Sequence, residues 1–187
     1  MNNFFGLLIC LHVLISFEIF SAGAVYYAVE FADSIISCPD FDNPNIKADI
    51  ELGLQAGEDG TPDTFGLDGV LDLIIELDDD HTIELEVCKE TEVACEPMLA
   101  AQVGMCDSMK DSDAPWFPLF TMMNISSCPI PVGQYPIKNL HLSVEQFKGC
   151  LSRDFCGFYS AKINILKKLD VVACYMVYLE VVEKQDD

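Results

Sequence analysis

The sequence predicts an all-β fold: an antiparallel β-sandwich or β-cup, Ig-like, with one short helix and four disulfides. Two observations carry this prediction. Apolar and polar residues alternate in several short runs, which is typical of strands with one buried face. Eight cysteines follow an apolar leader, and an even set of cysteines in a secreted chain is typical of a disulfide framework.

The leader has the features of a secretory signal. Residues 3–20 are almost unbroken apolar, and Ala22-Gly23-Ala24 supplies small residues for cleavage. We therefore expect a signal peptide over 1–24 and a single domain over 25–187. The alternative is an uncleaved membrane anchor, since the run is nearly long enough to span a bilayer. Glu18 interrupts the run, and cleavage would turn the odd total of nine cysteines into eight, so both observations favour the signal.

The charge of the chain is extreme and unevenly distributed. Net charge is −21, and residues 25–113 hold 23 acidic residues against three lysines, whereas 114–187 hold seven residues of each sign. Nucleic acid is excluded as a partner, because the chain would be repelled by a polyanion. The acidic half is either a solvated face that maintains solubility or a pH-sensitive surface, because carboxylates with pKa values of about 4 begin to neutralise in an acidic lumen.

The strands are predicted from a period of two and from β-branched and aromatic residues. They cover 48–52, 71–73 with its continuation 75–77, 82–87, 135–142, 158–166 and 171–182. The acidic segment 78–81 between two of them is predicted to be a hairpin turn. A Ca²⁺ site is the alternative there, but the segment lacks the spacing and the central glycine of an EF-hand loop, so no metal is predicted.

Two segments do not follow the strand pattern. Residues 96–109 are predicted as the short helix, because apolar residues recur there at helical spacing. The next segment is apolar and is broken by two prolines, which disfavour a regular element. It contains Trp116, Phe117, Leu119 and Phe120. Such a segment either packs into the core or forms a contact surface. Asn124 then begins a glycosylation sequon, which predicts an exposed position.

The sequence offers no catalytic or cofactor motif. It lacks a Gly-x-Ser-x-Gly elbow, a His-Glu-x-x-His pair and a phosphate-binding glycine loop. Acidic pairs are abundant, but they are expected by chance in a chain with 31 acidic residues, so they do not support a glycosidase-type carboxylate pair. The composition is 51% hydrophobic. A two-layer β-fold with separated sheets could hold a lipid, and a well-filled sandwich is the alternative.

One motif is more specific than these patterns. The run Cys128-Pro129-Ile130-Pro131-Val132-Gly133-Gln134-Tyr135, followed by a late strand with Val172-Ala173-Cys174-Tyr175-Met176, resembles the ML lipid-recognition family, and within it the ganglioside-activator type. The similarity covers about 31–182. It implies a β-cup in which the Cys-Pro run begins one strand and the late cysteine strand closes the fold.

The resemblance also implies a disulfide pattern, which spacing alone leaves open among about 105 connectivities. The implied pairs are Cys38–Cys174, Cys88–Cys95 and Cys106–Cys128. Two cysteines that precede the Cys-Pro run in this type are missing here, and Cys150 and Cys156 follow the run instead. We expect these two to pair with each other. This departure puts the cup rim near 143–157, and with it lipid selectivity, outside the family pattern.

The function implied by the resemblance is non-enzymatic. Such proteins, secreted or in the lysosomal lumen, extract a glycolipid, phospholipid or sterol through transient contact with a membrane surface, with or without presentation to a lysosomal glycosidase. Trp116, Phe117, Leu119 and Phe120 would form the membrane-contact loop. The lipid-binding cavity would be lined by Ile50, Leu52, Leu71, Leu73, Ile75, Ile83, Leu85, Ile163 and Ile165. The alternative is a secreted protein-interaction or innate-recognition β-sandwich without lipid transfer.

Overall fold

The described part of the chain consists mostly of antiparallel β-strands, which confirms the all-β class. The computed structural model describes residues 25–55, 64–112, 117–142 and 151–185. In chain order the elements are β1 (Val25–Phe31), β2 (Ile36–Ser37), β3 (Ile46–Gln55), β4 (Thr64–Leu73), β5 (His81–Glu90), β6 (Cys95–Gly104), α1 (Met105–Ser108), α2 (Phe117–Met122), β7 (Gly133–Leu142), a 3-10 helix (Arg153–Phe155), β8 (Gly157–Lys167) and β9 (Asp170–Gln185). The predicted signal peptide over 1–24 lies outside the described residues.

The strands form two sheets that pack against each other. The larger sheet has the order β1–β9–β8–β5–β6, with β2 also paired to β9, and the smaller sheet has the order β3–β4–β7. Residues from both sheets share one buried cluster: Ile46 and Leu73 come from the smaller sheet, and Ala173 and Tyr175 come from β9 of the larger one. The apolar core therefore lies between the two sheets.

The alternation read in the sequence sets which side chains face this core. In the larger sheet Ile83 pairs with Ile165 and Leu85 with Ile163, so β5 and β8 present matched apolar rows. The intervening residues point to the opposite face, because the side-chain period of a strand is two. The strands predicted at 48–52, 71–73, 82–87, 135–142, 158–166 and 171–182 are confirmed within β3, β4, β5, β7, β8 and β9.

The region after β4 differs from the prediction in two respects. The strand does not continue over 75–77; β4 ends at Leu73, and Leu77 makes only an isolated bridge with Ile130. The turn at 78–81 is not a hairpin, because it connects strands of different sheets. The physical reason is that β4 is already paired on both sides, with β3 and with β7. The next strand therefore cannot form a hairpin with β4, and it pairs in the other sheet.

A glycine allows β3 and β4 to approach closely at an irregularity in the smaller sheet. The register between β4 and β7 shifts between Leu67 and Gly69. Gly69 has a φ of +148°, and a Cβ there would overlap the carbonyl oxygen of Asp49 and lie 2.9 Å from the Cα of Ile50. A side chain at this position is therefore excluded both by backbone conformation and by the neighbouring strand.

Three disulfides join the described cysteines in the pattern that the resemblance implies. They are Cys38–Cys174, Cys88–Cys95 and Cys106–Cys128. The first spans 136 residues, and the chain-entropy model assigns to a loop of that length a stabilisation of about 5 kcal/mol. It joins the residue that follows β2 to β9, and thereby reinforces the pairing of these two strands in the larger sheet.

The fourth predicted disulfide, Cys150–Cys156, stays a prediction. Cys150 lies outside the described residues, and Cys156 has no disulfide partner within them.

The predicted helix over 96–109 is wrong for most of its length. Residues Cys95–Gly104 form strand β6, and only Met105–Ser108 is helical. The strand exists because it pairs with β5 from Thr82↔Gly104 to Glu90↔Cys95. Residues with good helix propensity, such as the two alanines at its centre, adopt the strand because the ladder overrides local preference.

The proline-broken segment contains a regular element where none was predicted. Phe117–Met122 forms α2, and Pro118 is tolerated because it lies in the first turn, where a backbone N–H has no helical partner. The helix ends at Met122, and Asn124 just beyond it has a φ of 56°. The N–H groups of Asn124 and Ile125 donate to the carbonyls of Thr121 and Phe120, which is a Schellman cap.

Candidate functional site

An apolar cavity of about 260 Å³ lies between the two sheets. Its walls combine strands of both sheets with α1, α2 and three connecting segments. The lining residues are Ile35, Ile46, Ala48, Ile50, Leu71, Leu73, Leu77, Ile83, Leu85, Met105, Leu119, Phe120, Met123, Ile130, Ile163, Ile165 and Tyr175. No lining residue carries a charged side chain.

Tyr175 supplies the only polar side-chain group among these residues, and that group is engaged elsewhere. Its hydroxyl donates to the carbonyl of Ile46 at 2.7 Å and accepts the N–H of Ala48 at 2.9 Å. Burial raises the pKa of Tyr175 above its ordinary value, so the hydroxyl stays protonated and can donate. It therefore links β9 to β3 across the core, and the cavity has no free polar group with which to bind a polar ligand.

Most of the residues predicted to line a cavity do so. Of the nine, seven border it: Ile50, Leu71, Leu73, Ile83, Leu85, Ile163 and Ile165. Leu52 is buried in a separate cluster further along β3. Ile75 packs against the cluster around the cavity without bordering the cavity itself. It lies beyond the end of β4 at Leu73, where the chain leaves the sheet and the alternation no longer fixes its direction.

The predicted membrane-contact residues are divided by the structure. Leu119 and Phe120 line the cavity, and Phe120 is buried. Phe117 is half-buried at the start of α2, and Trp116 lies outside the described residues. In this conformation Leu119 and Phe120 thus cover the cavity instead of forming an exposed loop. The sequence did not predict a short helix here, because the segment contains two prolines, Pro115 and Pro118.

Sequence reasoning missed several lining residues, for two different reasons. Ile46, Ala48 and Tyr175 extend the alternation of strands that were predicted too short or whose inward residues were not listed. The others lie outside strands, where no period indicates the buried side. They are Ile35, Leu77, Met105, Met123 and Ile130.

Two groups of polar residues are alternatives to the cavity as a functional site. Cys88, Glu90 and Cys95 have metal-like spacing, but the two sulfurs are joined in a disulfide and provide no thiolate. His81 is fully buried, and its Nδ1 lies 2.7 Å from Asp78 Oδ1. That hydrogen bond to His81 is the main cause that lowers the pKa of Asp78. The pair fixes the turn before β5, and the cavity remains the stronger candidate.

The exposed sequon agrees with the position expected from the sequence, since the side chain of Asn124 is exposed. The three disulfides are compatible with an extracellular or lysosomal location. Within the described residues, every helix is too short or too polar to cross a bilayer.

The cavity is thus the feature that supports a functional proposal, and comparison with known proteins adds no further evidence. The chain matches no known family model, and no curated protein matches its sequence.

Proposed function

We propose that this protein is a non-enzymatic lipid-binding protein that holds the apolar chain of an amphiphile between its two sheets. The observation that carries the proposal is the cavity of about 260 Å³, whose lining has no charge and whose one hydroxyl is already hydrogen-bonded. Natural interiors are closely packed, and an unfilled apolar space forfeits dispersion contacts along its walls. A ligand would restore those contacts.

The size of the cavity favours an alkyl chain. An engineered apolar cavity of about 150 Å³ binds benzene, and pockets for drug-sized ligands begin at about 300 Å³. The cavity lies between these values. Each buried methylene contributes about 0.8 kcal/mol. Affinity should therefore increase with chain length until the cavity is full, and then level off.

We assign the protein by resemblance to the ML lipid-recognition type. The disulfides Cys38–Cys174, Cys88–Cys95 and Cys106–Cys128 support this assignment, because the resemblance implied all three from the sequence. The Cys-Pro run also leads into β7, which begins at Gly133. A carrier of this type would act in the secretory path or the lysosomal lumen. There it would extract its lipid from a membrane and either transfer it or present it to a glycosidase.

Membrane contact in this proposal involves the start of α2. Phe117 is half-buried and Pro118 is exposed there, so both are available at the surface while Phe120 covers the cavity. The net charge of −21 repels anionic bilayers at neutral pH. Protonation of carboxylates in an acidic lumen weakens this repulsion, and extraction from anionic vesicles should therefore increase as pH falls.

The test is a titration with fluorescent fatty acids of increasing chain length, on the wild type and on Ala48→Leu. Ala48 lines the cavity, so the larger side chain should occupy part of it and shorten the chain length at which affinity levels off, while the fold is kept. Ala28→Leu is the matched control, because Ala28 in β1 does not border the cavity. If Ala48→Leu binds as the wild type does, the ligand lies elsewhere. If the wild type binds nothing at neutral or acidic pH, the alternative of a secreted interaction protein is favoured.

A further inference from the structure

Strand β6 is an open edge of the larger sheet. It is the last strand in the order β1–β9–β8–β5–β6, and β5 is its only partner among the described strands. Every side chain from Cys95 to Gln102 is exposed. Two of these are large and apolar: Met98 is 48% exposed and Leu99 is 52% exposed. A row of backbone donors and acceptors therefore faces outward beside uncovered apolar side chains.

From Leu99 to Gly104 this edge lacks the protection that natural sheets use. Edge strands are normally protected by charged side chains, prolines or bulges that prevent pairing with another chain. The segment 97–103 contains no charged residue, although the chain as a whole carries −21. Pro97 and the irregularity beside Leu99 lie at one end. The remainder, from Leu99 to Gly104, is free to accept a further strand.

We propose that β6 pairs antiparallel with β6 of a second copy of this chain, in a register centred on Ala100. In that register Ala100 lies opposite its own copy, Leu99 opposite Ala101, and Glu96 opposite Gly104. No like charges face each other, which avoids the penalty for such pairs. The small residues at the centre let the two strands approach without a clash. The strand is therefore complementary to itself.

A second copy fits this edge better than a charged partner does. The two-fold contact closes on itself and consumes both open edges, so it gives a dimer and not a filament. It also extends the inward-facing row of the sheet. Leu99 and Ala101 pair with Val87 and Leu85 of β5, and a second copy would cover them with the same apolar residues. This inference does not depend on the proposed lipid binding.

The net charge sets the conditions under which the dimer forms. Two copies of −21 repel each other as they approach, and that repulsion is screened by salt. Association should therefore be weakest at neutral pH and low salt, and stronger at high salt or acidic pH. Sedimentation velocity over a concentration series tests this with the wild type. A chain that stays monomeric at high salt and acidic pH, or that instead takes up an added extended peptide as a monomer, overturns the proposal.

Ala100→Lys is the diagnostic variant. It places two lysines opposite each other and should raise the dimer dissociation constant several-fold, although it lowers the net negative charge and the long-range repulsion. Val132→Lys is the control, because Val132 is equally exposed, at 60%, and lies outside the sheets. It makes the same charge change and should dimerise at least as well as the wild type. Equal dimerisation of the two variants excludes the β6 contact.

Single cysteines test the register without depending on affinity. Opposed residues of an antiparallel pair lie close enough for a disulfide, so Ala100→Cys should form a covalent dimer under mild oxidation. Gln102→Cys should not, because Gln102 faces Met98 in this register. The wild type is the blank for Cys156, which has no disulfide partner among the described residues. Cross-linking of Gln102→Cys as rapid as that of Ala100→Cys contradicts the proposed register.

Discussion

The two apolar clusters differ in composition and in their relation to the cavity. The first surrounds the cavity and contains Ile46, Leu73, Leu77, Met105, Phe120, Met123, Ile130, Ala173 and Tyr175. The second contains Ile50, Leu52, Leu67, Ile137 and Leu140, and only Ile50 of these borders the cavity. The first cluster thus mixes aliphatic, aromatic and sulfur-containing side chains, whereas the second consists of isoleucine and leucine alone.

The difference follows from the elements that contribute to each cluster. The second cluster takes its buried residues from the strands of the smaller sheet alone. The first cluster, around the cavity, also includes Met105 from α1, Phe120 from α2, and Ile130 from the segment before β7. Strand ladders set a regular spacing of side chains, whereas short helices and loops are positioned by disulfides and caps, which do not ensure close packing.

The largest expected effect is a difference between two isoleucines. Ile137 in the second cluster is 1% exposed. Ile46 in the first cluster is 3% exposed and borders the cavity. Ile137→Ala should destabilise the fold by about 3–5 kcal/mol, because it creates a new cavity. Ile46→Ala should cost less, about 2 kcal/mol, since its neighbours can relax into existing space. Urea denaturation of both variants gives the comparison.

Saturating fatty acid sharpens this comparison. It should stabilise Ile46→Ala by more than it stabilises the wild type, because the enlarged cavity can hold more of the ligand, and stabilise Ile137→Ala only as much as the wild type, whose cavity it shares. Equal losses for the two variants, with equal recovery on adding fatty acid, would show that both clusters are packed alike in solution.

A smaller effect is expected at the hydrogen bonds behind the cavity wall. Tyr175→Phe leaves the Ile46 carbonyl and the Ala48 N–H without their partner, which should cost about 1–3 kcal/mol. Tyr159→Phe is the matched control, since the Tyr159 hydroxyl makes a single described bond, to the Phe155 carbonyl, and joins no second sheet. Thermal unfolding should rank Tyr175→Phe as the less stable variant, and the reverse order would show that the β3–β9 link is dispensable.

The smallest expected effect is on the pH dependence of stability, at the turn before β5. The hydrogen bond between His81 and Asp78 lowers the pKa of Asp78 below its ordinary value. A carboxyl group with a depressed folded pKa stabilises the fold above its unfolded pKa, and that contribution is lost as pH falls through the folded pKa. Asp78→Asn should therefore flatten the decline in stability below about pH 4.

Asp79→Asn is the control for this experiment, because it makes the same change of charge one residue away in an exposed position. It should keep the acid-dependent slope of the wild type. If both variants flatten the slope equally, general charge and not the bond between Asp78 and His81 accounts for the pH dependence.

The all-β class and the sides of the strands could be predicted from local pattern. The alternation at 82–87 places Ile83 and Leu85 on one face whatever the partner strand is, because a strand has a side-chain period of two. Seven of the nine residues predicted to line a cavity border it for this reason. The three disulfides came instead from resemblance to a family motif, which supplied long-range pairings that spacing alone leaves open.

Other features depended on contacts that a local pattern cannot contain. The segment 95–104 has helical spacing of apolar residues but forms β6, because β5 offers an open edge for pairing. The turn at 78–81 changes sheets because β4 already has partners on both sides. Phe120 covers a cavity because a cap at Asn124 ends α2 and directs the chain toward β7.

The sequence by itself determined which residues avoid water, since burial of apolar side chains depends on their chemistry and on the local period of the chain. The tertiary structure alone decided how those residues meet. It placed Ile46 beside the cavity and Ile137 away from it, and it left β6 without a described partner on its outer side. Packing and strand pairing join residues that are distant in the chain, so neither is encoded in any single segment.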